Sequence, residues 1–261
     1  MADRALASHP NFAAAHLIRA QANLMLARPN EGLASVQKLL PQAQPQQMHA
    51  QRGHLLRHLA TRLPVADRAL ALKLAEADLT AATDNPEISV DSLEDLGAVL
   101  HAERQFSRAI DCYSRAIARD GNRAQSFIKR AWSHEAMRHL KEAESDFSSA
   151  LALAPEDPEA LAGLGYIEAS LGRIVRAQRL ASLALLRGGT DYLVLHNVAC
   201  IHARLAALDA KNAADHEQAA LDIVRRAIEV WRGTWSGPNE LQLIQLEVAF
   251  TPEFRRKALM Q

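Results

Sequence analysis

The chain has 261 residues, thirty Lys and Arg against thirty Asp and Glu, and hence no formal net charge. Hydrophobic residues make up 49% but aromatic ones only 5%, enough apolar matter for a large core or for one that runs along an extended array. Zero net charge argues against a general nucleic-acid or anionic-membrane binder. Helix-forming Ala, Leu, Arg and Glu dominate, while Val and Ile are sparse and rarely alternate, which argues against strands. The charge is unevenly spread: residues 1–70 hold eight basic and three acidic residues, residues 71–160 ten and seventeen, and residues 161–261 twelve and ten.

Two cysteines, Cys112 and Cys200, are too few for a disulfide framework, and a reducing compartment is the simpler expectation. No stretch approaches the ~18 apolar residues of a membrane span, and Met1-Ala2-Asp3-Arg4-Ala5-Leu6 has no apolar core of a leader peptide. The expectation is a cytoplasmic protein without membrane insertion. If the chain is a fragment of a longer exported protein, a periplasmic or envelope-associated location replaces it.

In chain order, residues 2–8 read as the end of a helix. His9-Pro10 resembles a repeat end, and Ala20, Gly32, Val36 and Leu39 follow at repeat spacing. Residues 46–89 read as an irregular hairpin, with Gly53 and Leu56 in its first helix and a lengthened second helix over roughly Val65–Thr83. From residue 90 the period is plain. Ala109, Ala143 and Ala177 stand thirty-four residues apart and carry similar neighbours. A fixed period of this length means stacked helical hairpins, none of which buries its apolar face alone.

Gly97, Ala131, Gly165 and Ala199 occupy a close-contact position on the first helix of each hairpin, and the three alanines occupy its counterpart on the second. Leu93, Phe127, Leu161 and Leu195 form a further row assigned to the core between helices, and Tyr113 and Phe147 are assigned to the groove toward the next repeat. Inner turns fall at Glu103-Arg104-Gln105, Arg138-His139 and Gly172. Asp120-Gly121-Asn122, Pro155-Glu156-Asp157-Pro158 and Gly188-Gly189 end the repeats. A fourth copy starts near Tyr192 and resumes about nine residues late at Ala220, Val224 and Ala227, so 206–216 is an insertion that either lengthens both helices or loops out. Thr234–Asn239 breaks the helix, and Glu240–Phe250 and Pro252–Met260 read as closing helices.

These residues resemble the tetratricopeptide repeat family, in its bacterial form. Residues 90–123 match its pattern nearly throughout. Residues 124–157 depart at Arg130, where leucine is usual, and residues 158–191 put Ala181 where an aromatic is usual. The resemblance implies an all-α, right-handed solenoid of stacked antiparallel helix pairs. Its parts are degenerate repeat-like helices over 1–45, the irregular hairpin over 46–89, three regular motifs over 90–191, a fourth with its insertion over 192–233, and capping helices over 234–261.

Candidate chemistry is thin. His134 and His139 are five apart, which rotates the second ring away from the i, i+4 geometry of a zinc-protease helix. His54 and His58 do stand at i, i+4, but without a third fixed ligand no zinc site follows, and with His49 they read as solvated surface residues. No nucleophile motif or phosphate-binding loop occurs, and the glycines of Gly163-Leu164-Gly165 serve packing inside a helix. Adjacent carboxylates such as Glu94 and Asp95 face different directions. The reading is therefore non-catalytic, with no metal and no cofactor.

What remains is recognition. The resemblance implies that first helices line a concave face, whose inward residues by register include Asp91, Glu94 and His101; Gln125, Ile128, Trp132 and Glu135; Glu159 and Tyr166; and His196, Asn197 and Cys200. Aromatic anchors at Trp132 and Tyr166 among acids suit a peptide or helix with apolar side chains and some positive charge. Family members that clamp a C-terminal carboxylate use a Lys, Asn and Arg set that Lys129 and Asn197 do not complete. The expectation is a scaffold or adaptor for a partner protein or peptide, without nucleic acid and with homo-oligomerisation open. The alternative is a structural or regulatory C-terminal module of a larger bacterial envelope, secretion or signalling protein.

Overall fold

A computed structural model describes residues 2–9, 13–39, 46–83, 88–234 and 250–259. Those residues form fourteen helices and no strand: α1 (Ala2–Ser8), α2 (Ala13–Met25), α3 (Pro29–Gln37), α4 (Gln46–Ala60), α5 (Val65–Thr83), α6 (Val90–Ala102), α7 (Phe106–Arg119), α8 (Ala124–Ala136), α9 (Leu140–Leu153), α10 (Pro158–Ser170), α11 (Ile174–Gly188), α12 (Tyr192–Leu208), α13 (Ala213–Thr234) and α14 (Pro252–Leu259). They fall into two compact units, residues 1–119 and 120–261. Each has its own core of stacked hairpins. The predicted break and closing helix over 235–249 lie outside the described residues.

The inner turn of the hairpins is set by one backbone state. Ala27, Arg104, Arg138 and Gly172 all have φ between 55° and 76°, and the last three are spaced by the repeat period. In each hairpin the amide that follows reaches back to the carbonyl five residues before it: Arg28 to Asn23, Gln105 to Leu100, His139 to His134, and Arg173 to Glu168, at 2.8–2.9 Å. This closure satisfies the helix's last carbonyls and turns the chain back on itself. Only Gly172 adopts the left-handed state without a side-chain penalty. Ala27 shows that the first hairpin uses the same turn, although its sequence matches the pattern weakly.

The start of several helices is sealed by a side chain. Ser89 accepts from the Ser92 amide (3.1 Å), Asp157 from Ala160 (2.9 Å) and Asp191 from Leu193 (2.8 Å), which satisfies donors that a helix start leaves bare.

The small residues do what the period implies. A Cβ on Gly97 would lie within 2.6 Å of the Tyr113 ring, so this aromatic packs on the first helix of its own hairpin. A Cβ on Gly163 would come within 2.2 Å of the Phe147 ring, so Phe147 reaches from α9 to the next hairpin. Ala109, Ala143 and Ala177 are fully buried, as are Leu93 and Leu195. Phe127, assigned to the same row, is only half-buried and lies beneath the Arg130 guanidinium (5.7 Å). Arg130 itself turns to Asp146 of α9, making two parallel bonds at 2.7 and 2.8 Å. The equivalent pair one repeat earlier is Leu96 and Cys112, both in the apolar core. The departure from leucine is thus matched by an acid on the facing helix.

The insertion over 206–216 resolves as longer helices. α12 has 17 residues and α13 has 22, with a short turn between them. Ala220, Val224 and Ala227 are fully buried, which restores the repeat contacts after the offset. Between the lengthened helices His202 and His216 face each other with Nδ1 atoms 3.2 Å apart. Burial, and then the neighbouring His216, push the His202 pKa down to about 4.

The left-handed turn at Gly172 can be tested directly. No atom lies within 4 Å of a Cβ built on Gly172, so Gly172→Ala carries only the left-handed backbone penalty of about 1–2 kcal/mol. Urea unfolding followed by circular dichroism should show a loss of that size; an unchanged midpoint would remove the turn from the account.

Candidate partner-binding face

In the unit over residues 120–261, the first helices α8, α10 and α12 are neighbours. The face they form centres on Trp132. Its indole Nε1–H donates to Glu159 Oε1 (3.2 Å), and the other oxygen of Glu159 accepts from Gln125 Nε2 (3.3 Å). The indole meets Phe147 edge to face at 5.1 Å, and the Tyr166 ring is 6.1 Å away. Trp132 is half-buried and Tyr166 buried, so Tyr166 forms the floor and Trp132 keeps an open side. Of the two residues expected as groove anchors, Tyr166 is buried in the core, and Trp132 has a share in both core and face.

Arg204 completes the row. Its guanidinium lies 4.4 Å from the Tyr166 ring centroid and donates to the Tyr166 hydroxyl. Cation, aromatic ring and indole therefore line up across three adjacent first helices. Arg204 carries no repeat signal, because it lies one turn beyond Cys200, the last inward position of a regular first helix, on the lengthened α12.

The other expected residues are distributed as follows. Glu135 is half-buried beside Arg138 (3.4 Å), and Asn197 is half-buried on α12. Ile128 has no exposed surface and belongs to the core. Cys200 is buried, as is His196, whose ring lies edge to face with Phe250 at 5.8 Å. In the unit over residues 1–119, Asp91 is exposed, Glu94 is buried, and His101 is half-buried against Phe106 (5.2 Å), with burial lowering its pKa.

The histidines of α4 require a correction. His49, His54 and His58, expected in solvent, all enter charged networks, and only His54 stays exposed. His49 and Arg52 share the buried carboxylate of Asp78 on α5, with His49 Nδ1 at 2.9 Å. His54 (2.5 Å) and Arg57 (2.6 Å) both meet the buried Asp95 of α6. Burial, then the adjacent Arg57, lower the His58 pKa to about 4. Asp95, despite its burial, is held below its ordinary value by His54 and Arg57. Among the described residues no group of three or more His, Cys, Asp or Glu is arranged to hold a metal. No described helix is long and apolar enough to cross a membrane.

Stacked hairpins closed by a recurrent left-handed turn, with glycine or alanine where helices cross, define the tetratricopeptide-repeat fold, and this chain has it. The structure of YrrB, described as a TPR protein with an unusual peptide-binding site, matches 75% of this chain and 96% of its own, at 18% identity and a TM-score of 0.53. PilF of Pseudomonas aeruginosa matches 89% of this chain and 96% of its own, at 16% identity and a TM-score of 0.58. The C-terminal part of a TPR repeat-containing protein from Cytophaga hutchinsonii matches 84% and 80%, at 17% identity and 0.54. At such identities the likeness is one of fold. No protein-family model and no curated protein matches the chain.

Burial raises the Glu159 pKa above the ordinary carboxylate value, against the pull of its two donors. The folded state therefore favours the protonated form, and the stability this contributes is lost as pH rises through the raised folded value. Glu159→Gln keeps a carbonyl acceptor for the indole and removes the charge. At pH 7 the variant should melt no lower than the parent, and any gain should fade by about pH 4, near the unfolded carboxylate value. A lower melting temperature at pH 7 would mean that the ionised carboxylate stabilises the face.

Proposed function

We propose that the chain is a non-catalytic protein-interaction scaffold that holds a partner peptide or helix on its first helices, with Trp132 as the anchor. The single observation carrying this reading is the held indole. Glu159, Phe147 and Tyr166 fix its orientation while one side stays open. A large aromatic in a fixed rotamer costs little entropy on binding and is the side chain that most often dominates such contacts. That YrrB, with the same fold, is described by a peptide-binding site is in keeping with it.

The chemistry of the partner follows from what surrounds the anchor. An apolar or aromatic side chain fits beside Trp132 over Tyr166. Glu135 and Arg204 bring opposite charges to the margins, so the partner segment carries both an acceptor and a cation. Acidic steering by Asp91, Glu94, Glu135 and Glu159 receives less support than the anchor, because Glu94 is buried and Glu159 is bonded to Trp132 and Gln125. Asn197 supplies a further amide to the same face. Ile128, Tyr166 and His196 are buried in the same unit as the anchor, and Asp91 and His101 on α6 belong to the unit over residues 1–119, where their part in binding is a separate proposal.

A displayed-peptide library panned on the intact chain supplies the probe, and the enriched peptide is then titrated by fluorescence polarisation. Trp132→Ala should weaken binding by roughly tenfold or more, on the order of 1.4 kcal/mol. Its half-buried contact with Phe147 also implies a modest fall in melting temperature. Arg204→Ala should weaken binding with a smaller effect on melting. Binding by the folded Trp132→Ala chain equal to the parent's would overturn the reading.

A further inference from the structure

Each hairpin with a left-handed inner turn is closed by the same backbone bond, which runs from an amide back to the carbonyl of one first-helix residue. That residue is Asn23 in α2, Leu100 in α6, His134 in α8 and Glu168 in α10, and the amides are those of Arg28, Gln105, His139 and Arg173. One period beyond Glu168 stands His202 of α12. One period beyond Arg173, with the same offset that displaces Ala220, stands His216 of α13. The backbone does not join this last pair: α12 runs on to Leu208, and the His216 amide donates to the carbonyl of Asn212 at 3.0 Å. The side chains join it instead. The two rings face each other with centroids 5.4 Å apart, and Nδ1 lies 3.2 Å from Nδ1. The lengthened hairpin thus closes through two imidazoles where the others close through a peptide group.

The neighbours decide which ring donates. The side-chain nitrogen of Gln178 on α11 lies 3.2 Å from His216 Nε2. An amide nitrogen only donates, so Nε2 accepts, and the His216 proton sits on Nδ1 and is donated to Nδ1 of His202. A proton added at His202 Nδ1 sets two N–H groups against each other. One added at His216 Nε2 does the same toward Gln178. We propose that His202 and His216 form an acid-released latch, which holds the lengthened ends of α12 and α13 together while both rings are neutral and lets them part once either takes up a proton. His216 is buried and His202 half-buried, so charge on either ring is poorly solvated. The surroundings offer little to offset it. Of the groups on α10, Glu168 is held by Arg173 (3.2 Å) and Arg176 (3.0 Å), and Tyr166 lies beneath Arg204. Beside Gln178 on α11, Arg179 is exposed. Asp209 of the turn is 3.7 Å from His216 Nε2 and already accepts from Asn212 (2.9 Å). Lys211 and Asp215 are exposed, and Glu217 accepts from Lys257 of α14 (2.7 Å). Among the described residues His216 is the one titratable group that acts on His202, and with burial it holds the His202 pKa down at about 4. Arg204 lies two residues after His202 on the turns so released, so opening also withdraws its guanidinium from Tyr166.

The latch is independent of the proposed role of the Trp132 face, and its test needs no partner. With the hairpin open, His202 takes up a proton near the ordinary histidine value of about 6.5, and with it closed only at about 4. Acid therefore favours the open form from about pH 6.5 downward, and the opening equilibrium should rise roughly twentyfold between pH 7 and pH 5. Hydrogen exchange of the full chain, read by mass spectrometry and corrected for its intrinsic pH dependence, should show that loss of protection in peptides over 203–216. Peptides over 158–170 of α10 should not show it. In His202→Gln the side-chain oxygen still accepts from His216 Nδ1 but takes up no proton, so most of the acid-induced loss should vanish. No loss in the parent, an equal loss in α10, or an equal loss in His202→Gln overturns the latch. If His202→Gln does not fold, an NMR titration of the parent decides. A His202 ring that titrates below its ordinary value, with the amide signals of residues 203–208 changing over the same range, supports the latch. A midpoint at the ordinary value, or amides indifferent to the titration, rejects it.

Discussion

Phe147 lies so close to Gly163 that no side chain fits between them. This contact couples α9 to α10 and with them two successive hairpins. It places Glu159 of α10 under the indole of Trp132 on α8, and Tyr166 of α10 beside it. If α9 and α10 stood farther apart, the indole would lose its acceptor and its floor together. The candidate face thus depends on a glycine that takes no part in it. The apolar stacking that stabilises the array also sets the geometry of recognition.

A second set of contacts is polar and local. Arg52 with Asp78, Arg57 with Asp95, Arg130 with Asp146, and Arg173 and Arg176 with the fully buried Glu168 each place a carboxylate inside the stack. Where both partners are buried, as in Arg52 and Asp78, such a pair adds little net stability over an apolar pair of the same volume, but breaking it leaves a charge without compensation. Arg130 and Asp146 replace the Leu96 and Cys112 of the preceding repeat. They make that hairpin chemically distinct from its neighbours while preserving the crossing.

Much of the fold was legible because repeats impose it many times over. The inner turns at Arg104, Arg138 and Gly172 are at the expected places, as is the long second helix over Val65–Thr83. The insertion could not be resolved from spacing alone, since a loop and two longer helices shift Ala220 by the same amount. The polar networks were illegible for a different reason. Asp78, Asp95 and Asp146 come from different positions of the repeat, so periodicity carries no signal for them, and His49 and His58 read as surface residues because their buried partners lie on other helices or beside them. Trp132 and Tyr166 were visible as a pair one period apart. Arg204 was not, because it joins them from a different turn of its helix.

The coupling of the two hairpins therefore rests on the close approach at Gly163. Local helix propensity and this approach predict opposite signs for a single substitution. Alanine in place of a mid-helix glycine ordinarily stabilises by about 1 kcal/mol. Here its Cβ would meet the buried Phe147 ring, an overpacking that typically costs about 1–3 kcal/mol. Urea unfolding of Gly163→Ala, followed by circular dichroism, should show a net loss of stability. A gain would contradict the claim that this approach holds the hairpins together.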